Sequence, residues 1–155
     1  MAEAMVGNGD RAFKYYRQIN PVDKNDVIDE FECEPYVYPQ NILGDEHAQF
    51  GLARNSWLTG TASWAYQAAT RCILGIRPTY EGLEIDPCIP RTWDSFKATR
   101  SYRGATYQIE GDNADRTCRG VGSVRVDGLE IEGNVVPSFG DGRVHDVQAT
   151  MEERA

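Results

Sequence analysis

The chain has 155 residues, of which 41% are hydrophobic and 26% are charged, close to the averages for soluble globular proteins. This length supports one domain, or one small domain with part of another, and is too short for a large multidomain enzyme. The formal net charge of −8 would repel phosphate backbones and anionic lipids. We therefore expect neither a nucleic-acid partner nor a membrane partner.

Targeting and metal-binding patterns are weak in this sequence. It contains no run of about 18 apolar residues and opens with no charged-then-apolar leader, so we expect a cytoplasmic protein. The cysteines form no CxxC pair, and the histidines lie far apart and are expected on the surface or in loops. This spacing indicates reduced thiols and no metal site. The residues concerned are Cys33, Cys72, Cys88, Cys118, His47 and His145.

The first residues carry apolar side chains at near-helical spacing over residues 2–18. This pattern predicts one helix that ends at Gly7 and a second helix that Asp10 caps and Pro21 terminates. A helix-forming run directly after the first residue is unusual for a domain terminus. We therefore expect the chain to be part of a larger fold.

The segment from residue 20 to residue 55 is expected to be mostly extended or looped. A connection of this length is usually a functional surface rather than filler. Its carboxylates are compatible with acid–base chemistry or with an ordinary solvated acidic loop. They belong to Asp29, Glu30, Glu32 and Glu34.

Residues 57–76 have the strongest helical pattern, with Thr59 as the predicted N-cap and Gly75 as the predicted stop. Apolar residues occupy almost the whole surface of this helix, which predicts that it is buried. The tryptophans at positions 57, 64 and 93 could stack on sugar rings, but in a small protein tryptophan is more often a core residue.

The turn that leads into this helix, SWLTGTASW at residues 56–64, has the composition of an anion pocket. The first helical turn has unpaired N–H groups and the positive end of the helix dipole. Gly60 allows close approach, and Thr59 and Thr61 add hydroxyl donors. The alternative is simple capping, in which Thr59 bonds to its own helix and binds no ligand. No GxxxxGK[ST] pattern is present, so a nucleotide P-loop is excluded.

After Pro78 the pattern changes to short β-rich runs separated by Gly, Pro and Asp. The hairpin signal at residues 127–128, Asp-Gly, is the strongest of the turn signals. Antiparallel strands of this length indicate a β-sandwich. The predicted strands are 83–86, 96–102, 105–110, 122–127, 129–132 and 143–150.

Five ordered blocks resemble the C-terminal portion of glycoside hydrolase family 94, most closely its cellobiose phosphorylases. Residues 2–4, 9–12 and 15–21 are also similar to that family, and a chance likeness in so many ordered blocks is improbable. The five blocks are residues 34–38 (EPYVY), 55–64 (NSWLTGTASW), 73–78 (ILGIRP), 85–90 (IDPCIP) and 100–107 (RSYRGATY).

The resemblance implies an α+β fold within a far larger enzyme. Residues 1–77 would be the last helices of an (α/α)6 catalytic barrel, and residues 78–155 a small C-terminal antiparallel β-sandwich. Family members cleave a β-glycosidic bond with inorganic phosphate and invert the anomeric centre. The implied activity is that of a hexosyltransferase that converts a β-glucosidic disaccharide, cellobiose foremost, into α-glucose 1-phosphate and glucose. Phosphate is then a co-substrate, no cofactor is needed, and the full-length enzyme is expected to be a homodimer.

The same resemblance implies roles for three residues of this chain. Thr59 and Gly60 match the family's phosphate-contacting pair, and Gln40 matches a glutamine that hydrogen-bonds the sugar being cleaved. The aspartic acid that protonates the leaving oxygen matches nothing in this chain. We therefore expect no catalytic residue here and no activity from the isolated chain. The alternative is a non-catalytic carbohydrate-binding or scaffold module built from residues 78–155.

Overall fold

The computed structural model describes residues 1–153. The chain divides into two compact units, one formed by residues 1–13 with the residues from 69 onward, the other by residues 14–68. We call them the β-rich unit and the turn-rich unit. Among the described residues, no helix is long and apolar enough to cross a bilayer.

Short helices account for much of the first half of the chain. The helices are α1 (Ala2–Met5), α2 (Gly9–Ile19), a 3-10 segment (Pro21–Val27), α3 (Ile28–Phe31) and α4 (Thr61–Gln67), and α4 continues as a π-helical segment (Ala68–Ile73). The region that we expected to be mostly extended or looped thus contains two short helical segments before its first strand.

The first two helices end where the sequence predicted, but the cap of the second is different. Gly7 has a φ of +82° and follows α1, as a left-handed stop should. The predicted cap Asp10 is wrong, because Asn8 Oδ1 accepts the backbone N–H of Arg11 at 3.1 Å. Asp10 instead lies within the first turn of α2, and its Oδ1 accepts the backbone N–H of Arg91 at 2.9 Å.

The described residues form ten strands. In chain order these are β1 (Pro39–Ile42), β2 (Ala53–Ser56), β3 (Ile76–Pro78), β4 (Gly82–Ile85), β5 (Ser95–Tyr102), β6 (Ala105–Asp112), β7 (Ser123–Val126), β8 (Leu129–Ile131), β9 (Val135–Pro137) and β10 (Val144–Thr150). All six predicted strands are present with small shifts at their ends, whereas β1, β2, β3 and β9 were not predicted.

The strands make three sheets with the orders β1-β2, β5-β6-β10-β7-β8 and β3-β4-β9. Every strand pair is antiparallel except β6 and β10, which are parallel from Thr106–Val144 to Asp112–Thr150. The fold is therefore α+β, as expected. The expectation of a purely antiparallel β region is wrong, because β10 returns after β7, β8 and β9 and enters the sheet between β6 and β7.

The core of the β-rich unit follows the two-residue period of its strands. In β6 and β10 alternate residues are buried, as expected when one face of a sheet is covered. The hydroxyl of Tyr107 in β6 donates to the carbonyl of Pro137 in β9 at 3.1 Å, which ties the five-stranded sheet to the three-stranded one. Fully buried side chains include Tyr107, Leu83, Ile85, Ile109, Val124, Val136 and Val147.

Helix α4 is exposed, contrary to the prediction of a buried helix. Trp64 is 64% exposed and Tyr66 is 55% exposed, whereas Ala65 is buried. The apolar surface of this helix was predicted correctly from its sequence, but no element within residues 1–153 covers the two aromatic side chains.

Candidate functional site

The strand pair β1–β2 brings Gln40 next to the chain that leads to Thr59. Pro39 pairs with Ser56 and Asn41 with Arg54, so that Gln40 lies opposite Asn55. The Asn55 amide Nδ2 donates to Gln40 Oε1 at 2.9 Å, and Gln40 is exposed. This bond uses the acceptor oxygen of Gln40 and leaves the N–H donors of its amide for another partner.

A tight left-handed turn connects β2 to α4. Asn55 has a φ of +55° and Trp57 a φ of +69°, and the Leu58 N–H donates to the Asn55 carbonyl at 3.4 Å. Asparagine adopts this conformation readily, but for tryptophan it costs about 1–2 kcal/mol. Thr59 and Gly60 follow this turn directly in the chain.

The two threonines at the start of α4 form a local hydrogen-bond pair. Thr59 Oγ1 accepts the backbone N–H of Thr61 at 3.1 Å, and the two hydroxyl oxygens lie 2.6 Å apart. The prediction of Thr59 as the N-cap is wrong, because Gly60 occupies that position. The Thr59 hydroxyl nevertheless bonds to its own helix, as the capping alternative supposed. Because one hydroxyl of the pair must donate to the other, the second hydroxyl hydrogen is not used by this contact.

The donors at this turn are accessible from solvent. Gly60 is exposed, and Thr59 and Thr61 are half-buried. A Cβ on Gly60 would come no closer than 3.9 Å to Trp64 Cδ1, so the space above its backbone is open. The Thr61 N–H is used by Thr59 Oγ1, but the N–H groups of Ala62 and Ser63 lack intrahelical acceptors by helix geometry. Together with the spare hydroxyl hydrogen they can donate to an anion.

Two aromatic rings and a carboxylate lie beside this turn. The Trp57 indole Nε1 donates to Glu34 Oε1 at 3.0 Å, and the ring of Tyr36 meets Trp57 edge-on with centroids 6.3 Å apart. Trp57 is 68% exposed and Tyr36 is 74% exposed. The prediction that tryptophan would be a core residue is wrong for Trp57 and for Trp64.

The acidic loop is not arranged for acid–base chemistry. Hydrogen bonds from the backbone N–H of Glu34 and then from the Trp57 indole lower the pKa of the Glu34 carboxyl below its ordinary value. A general acid at neutral pH needs the opposite shift. Asp29, Glu30 and Glu32 are exposed, which favours the solvated-loop interpretation.

The histidines and cysteines occupy several different environments, and Cys33 Sγ lies 3.5 Å from Glu34 Oε2, next to the partner of Trp57. His47 is exposed, and its Nδ1 accepts the backbone N–H of Gln49 at 3.0 Å. His145 is buried in β10, so its expected surface or loop position is wrong. Burial raises the pKa of the Cys88 thiol to about 11, and all four cysteines are free thiols. No cluster of three or more metal-ligating side chains occurs in the described part of the chain.

Comparison with known proteins identifies the family of this segment. Residues 1–75 match the glycosyl hydrolase 94 superfamily catalytic domain. The resemblance to glycoside hydrolase family 94 is confirmed. N,N′-diacetylchitobiose phosphorylase of Vibrio proteolyticus is 46% identical over 137 residues, which are 88% of this chain and 17% of the relative.

Two further family 94 relatives match over nearly the whole chain. N,N′-diacetylchitobiose phosphorylase of Vibrio furnissii is 43% identical over 145 residues, 93% of this chain and 18% of the relative. Solabiose phosphorylase of Paenibacillus borealis is 37% identical over 151 residues, 97% of this chain and 20% of the relative. The chain therefore spans about a fifth of the length of these relatives, which are named for different sugars.

Proposed function

We propose that this chain forms one wall of the phosphate and sugar site of an inverting glycoside phosphorylase. Thr59 and Gly60 hold the phosphate, Gln40 holds the sugar being cleaved, and residues 1–77 belong to an (α/α)6 barrel. The observation that carries the proposal is the register of β1 and β2. It sets Gln40 beside the strand that continues into Thr59–Gly60, with donors left over at both places.

The chemistry of phosphorolysis explains why donors, and not a base, are needed here. A phosphate oxygen forms a bond to the anomeric carbon while the glycosidic C–O bond breaks on the opposite face, which gives an α-sugar 1-phosphate. The leaving oxygen takes a proton from an aspartic acid for which this chain has no match. Phosphate is already an anionic nucleophile, so hydrogen bonds from Thr59 and Gly60 only have to orient it and offset part of its charge.

The relatives favour a particular substrate. The two at 46% and 43% identity are named for N,N′-diacetylchitobiose, whereas a cellobionic acid phosphorylase of Neurospora crassa is 34% identical over 104 residues. We therefore propose a β-linked disaccharide as substrate, with N,N′-diacetylchitobiose ahead of the cellobiose that the sequence motifs favoured.

A chimaera tests the phosphate role directly. This chain would replace its matching segment in the Vibrio proteolyticus phosphorylase, and Thr59→Val would then be introduced. Loss of one charge-assisted hydrogen bond should raise the KM for phosphate about 10- to 100-fold. Initial rates at varied phosphate, with N,N′-diacetylchitobiose and with cellobiose, give this value and the substrate preference together.

The matched control is Ser63→Ala, which removes an exposed hydroxyl from the same helix and should leave the phosphate KM unchanged. Gln40→Ala should raise the KM for the disaccharide and not the KM for phosphate. Equal phosphate KM values in the parent chimaera and in Thr59→Val would refute the assignment of Thr59.

A further inference from the structure

The most exposed large aromatic side chains near the candidate site are held in a fixed arrangement. Trp57 has a φ of +69°, and its indole is fastened to Glu34 at 3.0 Å while Tyr36 contacts it edge-on. An exposed tryptophan in a left-handed conformation is a sterically costly way to end a strand, and such outliers concentrate at ligand sites. Packing does not account for Trp57, because 68% of its surface is open.

We propose that the exposed face of the Trp57 indole is a stacking platform for a pyranose ring of the disaccharide, with Tyr36 packed edge-on against it and Glu34 as the residue that positions the indole. This inference rests on the proposed function and extends it to the sugar side of the same turn. Flat aromatic faces bind the C–H face of a ring while leaving its hydroxyl groups free for hydrogen bonds. Gln40, on the strand paired with β2, offers amide donors for such hydroxyls.

The negative charge of Glu34 favours the sugar over the phosphate as the ligand of the platform. The lowered pKa of Glu34 means that its carboxylate is ionised at neutral pH. An ionised carboxylate repels phosphate but accepts hydrogen bonds from sugar hydroxyls. The donors of Thr59 and Gly60 thus serve the phosphate, and the indole face of Trp57 serves the sugar.

Titration of the 155-residue chain by 1H–15N NMR tests this assignment. The probes are N,N′-diacetylchitobiose, cellobiose and inorganic phosphate, added separately. We expect disaccharide to shift the Trp57 indole signal saturably, and phosphate to shift the Thr59 and Gly60 amides without moving that indole. If phosphate shifts its amides but neither disaccharide moves the Trp57 indole, the platform is wrong and the phosphate site stands. The reverse pattern supports the platform and removes the phosphate assignment.

Three variants separate ligand binding from a structural role. Trp57→Gly suits the backbone conformation of this position, so its thermal midpoint should be equal to or above that of the parent while disaccharide affinity falls about tenfold or more. Trp57→Phe keeps a ring without the indole N–H and should bind with intermediate affinity. Trp64→Ala removes an equally exposed tryptophan from α4 and should bind as the parent does.

Two results would overturn the platform whatever the phosphate titration shows. One is a Trp57→Gly variant with lower thermal stability and undiminished disaccharide affinity, because the indole would then be structural. The other is a Trp57 indole signal that changes with protein concentration in the absence of sugar, because a second copy of the chain would then cover the ring.

Discussion

The His145 imidazole lies between the carboxylates of Asp127 and Asp141 and stacks on the ring of Phe139. Its Nδ1 lies 2.8 Å from Asp127 Oδ2 and its Nε2 lies 3.2 Å from Asp141 Oδ1, while the two rings are 4.0 Å apart. Only the protonated imidazole can donate from both nitrogens. The hydrogen bond to Asp127 therefore raises the pKa of His145, by more than burial lowers it.

This arrangement makes stability depend on pH. Because the pKa of His145 is raised in the folded state, its contribution to the free energy of unfolding is fully present below the unfolded-state pKa of about 6.5. That contribution is lost as pH rises through the folded-state pKa. The hydrogen bond with His145 is the main cause that lowers the pKa of Asp127. The stability that Asp127 contributes is therefore lost as pH falls through its folded-state pKa. Urea unfolding should show lower stability at about pH 9 than at about pH 6.

The control for the histidine is His145→Gln, which stays neutral across this range. It should be less stable than the parent at about pH 6 and show a smaller loss of stability on going to about pH 9. If parent and variant lose the same amount of stability over this range, the imidazole is not the titrating group.

Residue identity alone predicted the environment of His145 and of Trp57 incorrectly. The usual burial of tryptophan and the usual exposure of histidine are both reversed here. His145 was detectable, because it precedes Val147 by two positions in an alternating strand and so shares its buried face. The left-handed conformation of Trp57 was not detectable from the sequence, because the residues around it are equally compatible with an ordinary extended backbone. The motif resemblance, and not the spacing, pointed to Gln40.

At the scale of elements, a branched ion pair fastens the β3–β4 hairpin to the segment that follows β6. Asp86 Oδ2 accepts from Arg77 Nη2 at 2.7 Å and from Arg119 Nη2 at 2.8 Å. Burial would raise the pKa of Asp86, but hydrogen bonds from Arg119 and then Arg77 outweigh it and hold the pKa below its ordinary value. Arg119 also donates to the Met5 carbonyl at 3.1 Å, so α1 is attached to the same branch point.

Removal of the shared acceptor should therefore be costly. Asp86→Ala removes the acceptor shared by Arg77, which keeps its two hydrogen bonds to Glu84, and by Arg119, whose side chain is 40% exposed. It should lower the free energy of unfolding by about 1–3 kcal/mol. Asp94→Ala breaks the ion pair with Arg116, whose side chains are 73% and 63% exposed, and should cost less than about 1 kcal/mol. Urea denaturation of both variants measures the difference, and equal losses would contradict a structural role for the branch point.

Six of the ten strands could be predicted from the sequence, and the other four could not. Alternation and Asp-Gly or Arg-Gly turns located β4 to β8 and β10, because those signals are local. β1 was missed because Pro39-Gln40-Asn41 has no apolar alternation, and its pairing with β2 joins segments separated by a loop. The parallel pairing of β10 with β6 was also not predictable from local pattern, since it depends on where a returning strand inserts.

At the scale of the whole molecule, the two units differ greatly in buried apolar content. The turn-rich unit has a small core cluster of Phe31, Cys33, Val37 and Ala53 and a two-stranded sheet. The β-rich unit has the five-stranded sheet and the fully buried tyrosine, leucine and isoleucine side chains around Tyr107. Local stability generally follows buried apolar contacts and sheet size.

Amide hydrogen exchange followed by mass spectrometry should therefore show much weaker protection in β1 and α3 than in β6 and β10. Phe31→Ala deletes the largest side chain of the small cluster, at a local cost of about 3–5 kcal/mol, and should speed exchange within residues 14–68 while leaving β6 and β10 unchanged. Ile109→Ala, in β6, should have the opposite regional effect. If each variant accelerates exchange equally in both units, the chain opens as one cooperative structure, and the separate cores do not act as separate units of stability.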